Sequence, residues 1–210
     1  MPKKYVLMSG HASTGDREKI DRSVLVEAGN TDTLILAMSY DDPVRNREKT
    51  SNLANYLTSI GAAHTMSVDS SVPSEDIQDL MENAGVVFLP GGHTEVFLKN
   101  LYQKGLVNII RDFPGVVAGV SAGAYILGQI YPKIREGKAE IIPMTRTVPF
   151  SVKAHYTPEF IKPLTGLSYA NDIYALEDSS AIFYDPKTDE RKYVGNIIKF
   201  RKGKFMQISE

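Results

Sequence analysis

The 210-residue chain contains no cysteine and no tryptophan. Without thiols, disulfide frameworks, thiolate metal sites, iron–sulfur clusters and cysteine-nucleophile mechanisms are excluded together, and any covalent catalyst must be another residue. An excess of either charge is also lacking: 24 Lys and Arg stand against 25 Asp and Glu, for a net charge of −1. No long-range field then draws the molecule to nucleic acid or anionic lipid, and neither is expected as a partner. Long apolar runs are missing too. The stretch behind Lys3 and Lys4 is four apolar residues, too short for a secretory signal, and nothing reaches the roughly 18 residues of a membrane span. The expectation is a soluble, cytoplasmic protein. No repeat, low-complexity tract or linker-like stretch divides the chain, so residues 1–210 are read as a single domain. With 42% hydrophobic residues, its core needs neither metal nor disulfide.

What is present alternates. Apolar runs at Tyr5–Met8, Thr33–Met38, Val86–Leu89 and Val116–Val120 predict strands, and Ala63–Val68 reads as a further one. Between them, Lys19–Ala28, Val44–Ile60, Ser74–Ala84 and Thr94–Ile110 predict helices. In the second of these, Leu53, Tyr56, Leu57 and Ile60 recur at helical spacing and so share one face. Continuous apolar strands separated by helices specify a parallel sheet covered on both sides, an α/β doubly wound sandwich. Ligands bind such sheets outside the carboxyl ends of the strands. After Val120 the pattern changes to short strands at Glu140–Ile142, Val152–Tyr156, Tyr174–Glu177, Ala181–Tyr184, Tyr193–Phe200 and Lys204–Ile208. These are expected to complete the sheet edge in mixed or antiparallel fashion.

Gly119-Val120-Ser121-Ala122-Gly123 has the GxSxG pattern of a nucleophile elbow, preceded by an apolar run and followed by a helical one. Small neighbours let the serine sit on a sharp strand-to-helix turn, where the Ala122 amide can face a developing oxyanion. Pro90-Gly91-Gly92-His93-Thr94 follows the fourth strand and opens a helix. It lacks the phosphate-binding glycine patterns. Gly92 is the candidate for a second oxyanion donor, with Gly91, His93, Thr94 and His11 as substrate contacts. Of the four histidines, His64 reads as structural or exposed, whereas His11, His93 and His155 all remain open as the base. None has the spacing of a zinc site, so no metal and no cofactor is expected. If the acid lies between serine and histidine in chain order, as in many hydrolases, Glu136 and Glu140 are the choices. Any anionic substrate group would need a cation to meet it, with Arg135 and Arg146 as candidates.

The segments LPGGHTEVFLKNL, GVSAGAYILG, VKAHYTPEF and LEDSSAIFY together resemble the serine peptidase family of dipeptidase E and cyanophycinase, over residues 5–184. The resemblance implies a flavodoxin-like, class I glutamine amidotransferase-like three-layer sandwich with a mainly parallel central sheet. It also implies cleavage of short peptides with N-terminal aspartyl or β-linked aspartyl residues. Carried over by position, the family's serine falls on Ser121, its histidine on His155 and the oxyanion glycine on Gly92, beside Ala122. The acid stays between Glu136 and Glu140, with Glu136 favoured. His93 replaces the family's asparagine and Ala154 its proline before the histidine, which bears on the aspartyl preference. The expected partner is a small peptide, and a homodimer is open. A non-catalytic binding protein of the same fold and an esterase or amidase are the competing readings.

Overall fold

The computed structural model describes residues 3–10, 14–29 and 31–208. In chain order these form β1 (Lys4–Met8), α1 (Thr14–Glu27), β2 (Thr33–Ala37), α2 (Pro43–Ser59), β3 (Thr65–Asp69), α3 (Ser74–Asn83) and β4 (Val86–Leu89). Then come α4 (Thr94–Gln103), α5 (Leu106–Asp112), β5 (Val116–Val120), α6 (Ala122–Leu127), and the hairpin β6 (Ile130–Arg135) and β7 (Lys138–Pro143). The remainder is β8 (Ser151–Lys153), α7 (Ile161–Leu167), β9 (Ile173–Leu176), β10 (Ala181–Asp185), β11 (Glu190–Val194), β12 (Ile197–Arg201) and β13 (Lys204–Ile208).

The main sheet has seven strands in the order β11-β10-β1-β5-β4-β2-β3. The five strands from β1 to β3 are parallel, and β10 and β11 extend the β1 side antiparallel. This is the mainly parallel α/β sandwich expected. Side-chain alternation explains why both faces are covered. Val6, Met8, Ile35 and Phe88 pack with Ile20, Val24 and Leu57 of α1 and α2 on one face. Leu7, Leu34, Leu89 and Val117 pack with Ile77, Phe97 and Ile110 of α3, α4 and α5 on the other. Each such fully buried side chain contributes about 1.5–3 kcal/mol.

Three expectations need correction. The helix read over Thr94–Ile110 is two helices, because Gly105 takes a left-handed conformation (φ 67°) that ends one and starts the next. The strand read over Tyr193–Phe200 breaks at Gly195 (φ 79°), and its halves serve different sheets. Only β10 and β11 extend the main sheet; β8, β9, β12 and β13 form a separate four-stranded sheet in the order β13-β12-β9-β8. That second sheet and α7 share a small core of Ile130, Tyr156, Leu164, Ile173 and Phe200.

Lys153 ends β8 with only 8% of its surface exposed. Its Nζ lies over the Phe160 ring and 3.5 Å from the Tyr125 hydroxyl. Burial lowers its pKa from the ordinary 10.5 to about 8, partly offset by the negative charge of Glu159. Between those two values the unfolded chain binds the proton that the folded chain has released, so folding stability rises with pH across that window. Lys153→Met is therefore expected to melt higher than the parent at pH 7. The gain should shrink as pH climbs from about 8 to 10.5; thermal melts across that range check it, and a gain independent of pH would contradict it.

Candidate active site

Ser121 stands between β5 and α6 with φ 49° and ψ −104°, a region that non-glycine residues rarely enter. Two close approaches make this turn possible. A Cβ on Gly123 would lie 2.1 Å from the Leu89 carbonyl oxygen, and one on Gly119 would lie 2.5 Å from the Gly123 carbonyl oxygen. The elbow therefore requires both glycines. It is anchored from behind by the Ser121 amide, which donates to the Met8 carbonyl at 2.9 Å.

His155 reaches the same place from the second sheet. The strand expected over Val152–Tyr156 stops at Lys153, and His155 turns back with φ 53°. Its amide donates to Ser9 Oγ at 2.9 Å. Its imidazole Nε2 is 3.0 Å from Ser121 Oγ, and its Nδ1 is 2.8 Å from Asp178 Oδ1. The imidazole lies against Gly10, where a Cβ would come within 1.9 Å of its Cε1; any side chain at that position would displace the ring. Tyr125, one turn into α6, donates its hydroxyl to the Ala154 carbonyl at 3.1 Å. Burial pushes the Tyr125 pKa far above its usual value, so the hydroxyl remains a donor and ties the serine helix to the histidine segment.

Asp178 is the carboxylate on the imidazole, and the expectation of Glu136 or Glu140 is corrected. Glu136 (φ 49°) and Gly137 (φ 73°) are the two turn residues between β6 and β7, the conformation that a tight hairpin demands. Glu140 lies on β7 and faces Lys133 Nζ at 3.6 Å. Neither glutamate takes the Nδ1 position. Asp178 precedes β10, and its Oδ1 also accepts from Ser9 Oγ at 3.1 Å. Ser9 was missed as well. The signal for Asp178 was available in the LEDSSAIFY segment, but the assumed chain order of serine, acid, histidine passed over it.

Ser121, His155, Gly10, Gly91 and Gly92 border one cavity of about 540 Å³. Gly91 abuts the serine; a Cβ there would be 3.6 Å from Ser121 Cβ. Ala122, the first residue of α6, has an amide with no acceptor inside its own helix. His93 and Thr94 border a second cleft of about 210 Å³, which shares Gly92 with the first and includes Arg135 and Lys133. The His93 ring meets the Tyr40 ring edge-on at 5.0 Å between centroids. His64 is exposed and pairs with Asp32. His11 lies outside the described residues. Among the described residues, no three His, Asp or Glu side chains converge as a metal site requires, and no helix is long and apolar enough to cross a membrane.

The arrangement is that of an activated nucleophile: a serine hydroxyl on an imidazole, the imidazole on a carboxylate. The sequence pattern of peptidase family S51 matches residues 44–190. A search of curated proteins finds no match. Among solved structures, a peptidase from an acI-B1 Actinobacterium superposes with a TM-score of 0.74 at 16% identity, covering 100% of this chain and 95% of that one. A candidate peptidase E protein from Listeria monocytogenes EGD-e gives a TM-score of 0.65 at 21% identity, covering 93% of this chain and all of the other. At these identities the likenesses speak to the fold.

Replacing Asp178 by Asn should leave the imidazole in the wrong tautomer and slow fluorophosphonate labelling of Ser121 by about 10³- to 10⁴-fold. Glu136→Gln and Glu140→Gln should label at the parental rate. Mass spectrometry of the labelled serine over time distinguishes these outcomes, and a slow Glu136→Gln beside a fast Asp178→Asn would reverse the assignment.

Proposed function

The chain belongs to peptidase family S51 and is a serine peptidase; on that premise we propose that it is an exopeptidase of short peptides, with dipeptides bearing an acidic N-terminal residue as its substrates. The observation that carries the reading is the continuous set of contacts from Ser121 Oγ through His155 to Asp178, at 3.0 and 2.8 Å. Ser121 Oγ attacks the scissile carbonyl carbon while His155 Nε2 takes the hydroxyl proton. Asp178 holds the proton on Nδ1 and balances the imidazolium charge that forms. Amides of Gly92 and Ala122 receive the carbonyl oxygen as it becomes an oxyanion, an interaction worth about 10²- to 10³-fold in rate for one such donor. His155 then returns its proton to the leaving amine as the C–N bond breaks, leaving an ester on Ser121. Water, deprotonated by the same nitrogen, releases the acid and restores the serine.

The imidazole and carboxylate retain 49% and 36% side-chain exposure, so a substrate can reach them without opening the core. Groups of the chain supply every step of this cycle. His93 borders the second cleft and is read as a substrate contact there, alongside Thr94.

A panel of dipeptides and simple esters tests the reading. Asp-X dipeptides are expected to be hydrolysed and simple esters not, with kcat of Ser121→Ala lower by about 10⁶-fold. Ester cleavage without dipeptide cleavage would replace the peptidase reading by an esterase one, and a folded protein whose Ser121 resists fluorophosphonate would remove the catalytic reading altogether.

A further inference from the structure

The cavity at Ser121 contains charge that the triad does not use. It extends from Gly91, Gly92 and Ser121 along α2, where Asn46, Lys49, Leu53 and Tyr56 border it. Ten residues of helix separate Asn46 from Tyr56, which is about 15 Å at 1.5 Å per residue. Its volume, about 540 Å³, is typical of a small-molecule site and far larger than the triad needs. Part of the wall is Arg17 of α1, 5% exposed.

Arg17 is not fully satisfied. Its Nε donates to Asp21 Oδ2 at 2.8 Å, and the same oxygen accepts from the Tyr56 hydroxyl at 3.1 Å. Nη1, by contrast, is buried and among the described residues has no hydrogen-bond partner. Leaving a charged donor buried and unpaired is unfavourable, and native structures seldom tolerate it without a function or an absent ligand. The guanidinium fork matches a carboxylate in two-point geometry. Lys49, exposed on the same wall, directs its Nζ to the Tyr40 hydroxyl at 2.6 Å rather than to a carboxylate. Leu53, Phe88 and Val120 add apolar lining to the same cavity. Arg135, a candidate for this role from sequence, borders the second cleft instead, and Arg146 borders neither.

We propose that Arg17, supported by Lys49, reads a carboxylate of the peptide substrate, and that the substrate's acidic end lies in this cavity against α2. The assignment rests on the peptidase reading for the identity of the anion. A dipeptide offers two such groups, the side chain of an N-terminal acidic residue and the terminal carboxylate of the leaving residue. Both use the same recognition chemistry.

Ser121→Ala preserves the cavity while preventing turnover, so titration calorimetry can compare Asp-Leu with Asn-Leu and with Asp-Leu amide. One of the two amides is expected to bind about 10- to 100-fold more weakly than Asp-Leu, and which one does so identifies the carboxylate that is read. In Arg17→Met/Asp21→Asn on the same background, both charges of the buried pair are gone, so none is stranded; the acid-to-amide ratio should fall to near one. Lys49→Met, an exposed substitution, should reduce that ratio without reaching one. Thermal melts establish that each variant is folded. Equal binding of all three peptides to Ser121→Ala, or a ratio that survives in the folded double variant, overturns the subsite. Fluorophosphonate labelling of the parent reports separately on the nucleophile: a labelled, active enzyme lacking any Arg17-dependent preference loses only the subsite, whereas an unlabelled one loses the peptidase reading.

Discussion

The candidate site depends on the last residue of one strand and the two that follow it. β1 lies between β5 and β10, with Met8 opposite both Val120 and Ala181. Its end is therefore flanked by the serine elbow on one side and the aspartate turn on the other. Met8 contributes a carbonyl to the Ser121 amide, Ser9 a hydroxyl to both the His155 amide and Asp178, and Gly10 a carbonyl to the Ser179 amide at 3.2 Å. Neighbouring strands are about 4.8 Å apart, so β5 and β10 are about 10 Å apart across β1. An imidazole with a hydrogen bond at each nitrogen, together with the serine and aspartate side chains that it joins, spans that gap. The ring fits over β1 because residue 10 has no side chain. Sheet spacing, rather than the hydrogen bonds themselves, fixes the separation of nucleophile and carboxylate.

Backbone strain collects at the same place. Ser121, His155 and Ser179 all have positive φ (49°, 53° and 62°), and such residues cost of order 1–3 kcal/mol each. Each is tied at its own amide to a carbonyl or hydroxyl of residues 8–10, at and just beyond the end of β1. Those ties persist because Val6, Leu7 and Met8 are wholly buried, so relaxing the strained turns would mean disrupting the centre of the sheet. The core thus offsets the local cost and keeps three loop residues in one orientation.

What could be read from sequence followed the range of the interactions. The five parallel strands and the serine elbow are local patterns: short runs of four to six residues, most of them apolar, and glycines two positions either side of a serine. Those determinants lie within a short window, and the structure reproduces them. The histidine required a resemblance, because three histidines fell on candidate segments and spacing alone could not rank them. The carboxylate was misread because chain order was used as a proxy for position. Asp178 is 23 residues beyond His155 and meets it only because β10 runs antiparallel beside β1. Ser9 and Arg17 left no sequence signal either. A serine after a strand and an arginine in a helix are ordinary, and their roles arise from groups 146 and 39 residues away: Ser9 meets the His155 amide, and Arg17 shares a cavity with Tyr56. The same reasoning covers the split at Gly195, where a single glycine sends consecutive strands to different sheets.

The charge distribution constrains how such a site can recognise anything. A net charge of −1 supplies no long-range attraction, so an acidic substrate gains nothing until it is inside the cavity. There the Arg17–Asp21 pair is almost free of net charge, and what it presents is a directed donor rather than a field. Desolvation of the pair has already been met during folding, so an entering carboxylate displaces little bound water from the guanidinium. Removing Asp21 alone would strand the arginine charge in the core, and removing Arg17 alone would strand the carboxylate; either is more damaging than losing both. The pair keeps a cation buried next to a nucleophile without drawing the imidazole's partner away: the carboxylate that satisfies Arg17 is Asp21 on its own helix, leaving Asp178 to His155. Separating the two carboxylates in this way lets one chain hold a recognition cation and a catalytic base in the same cavity.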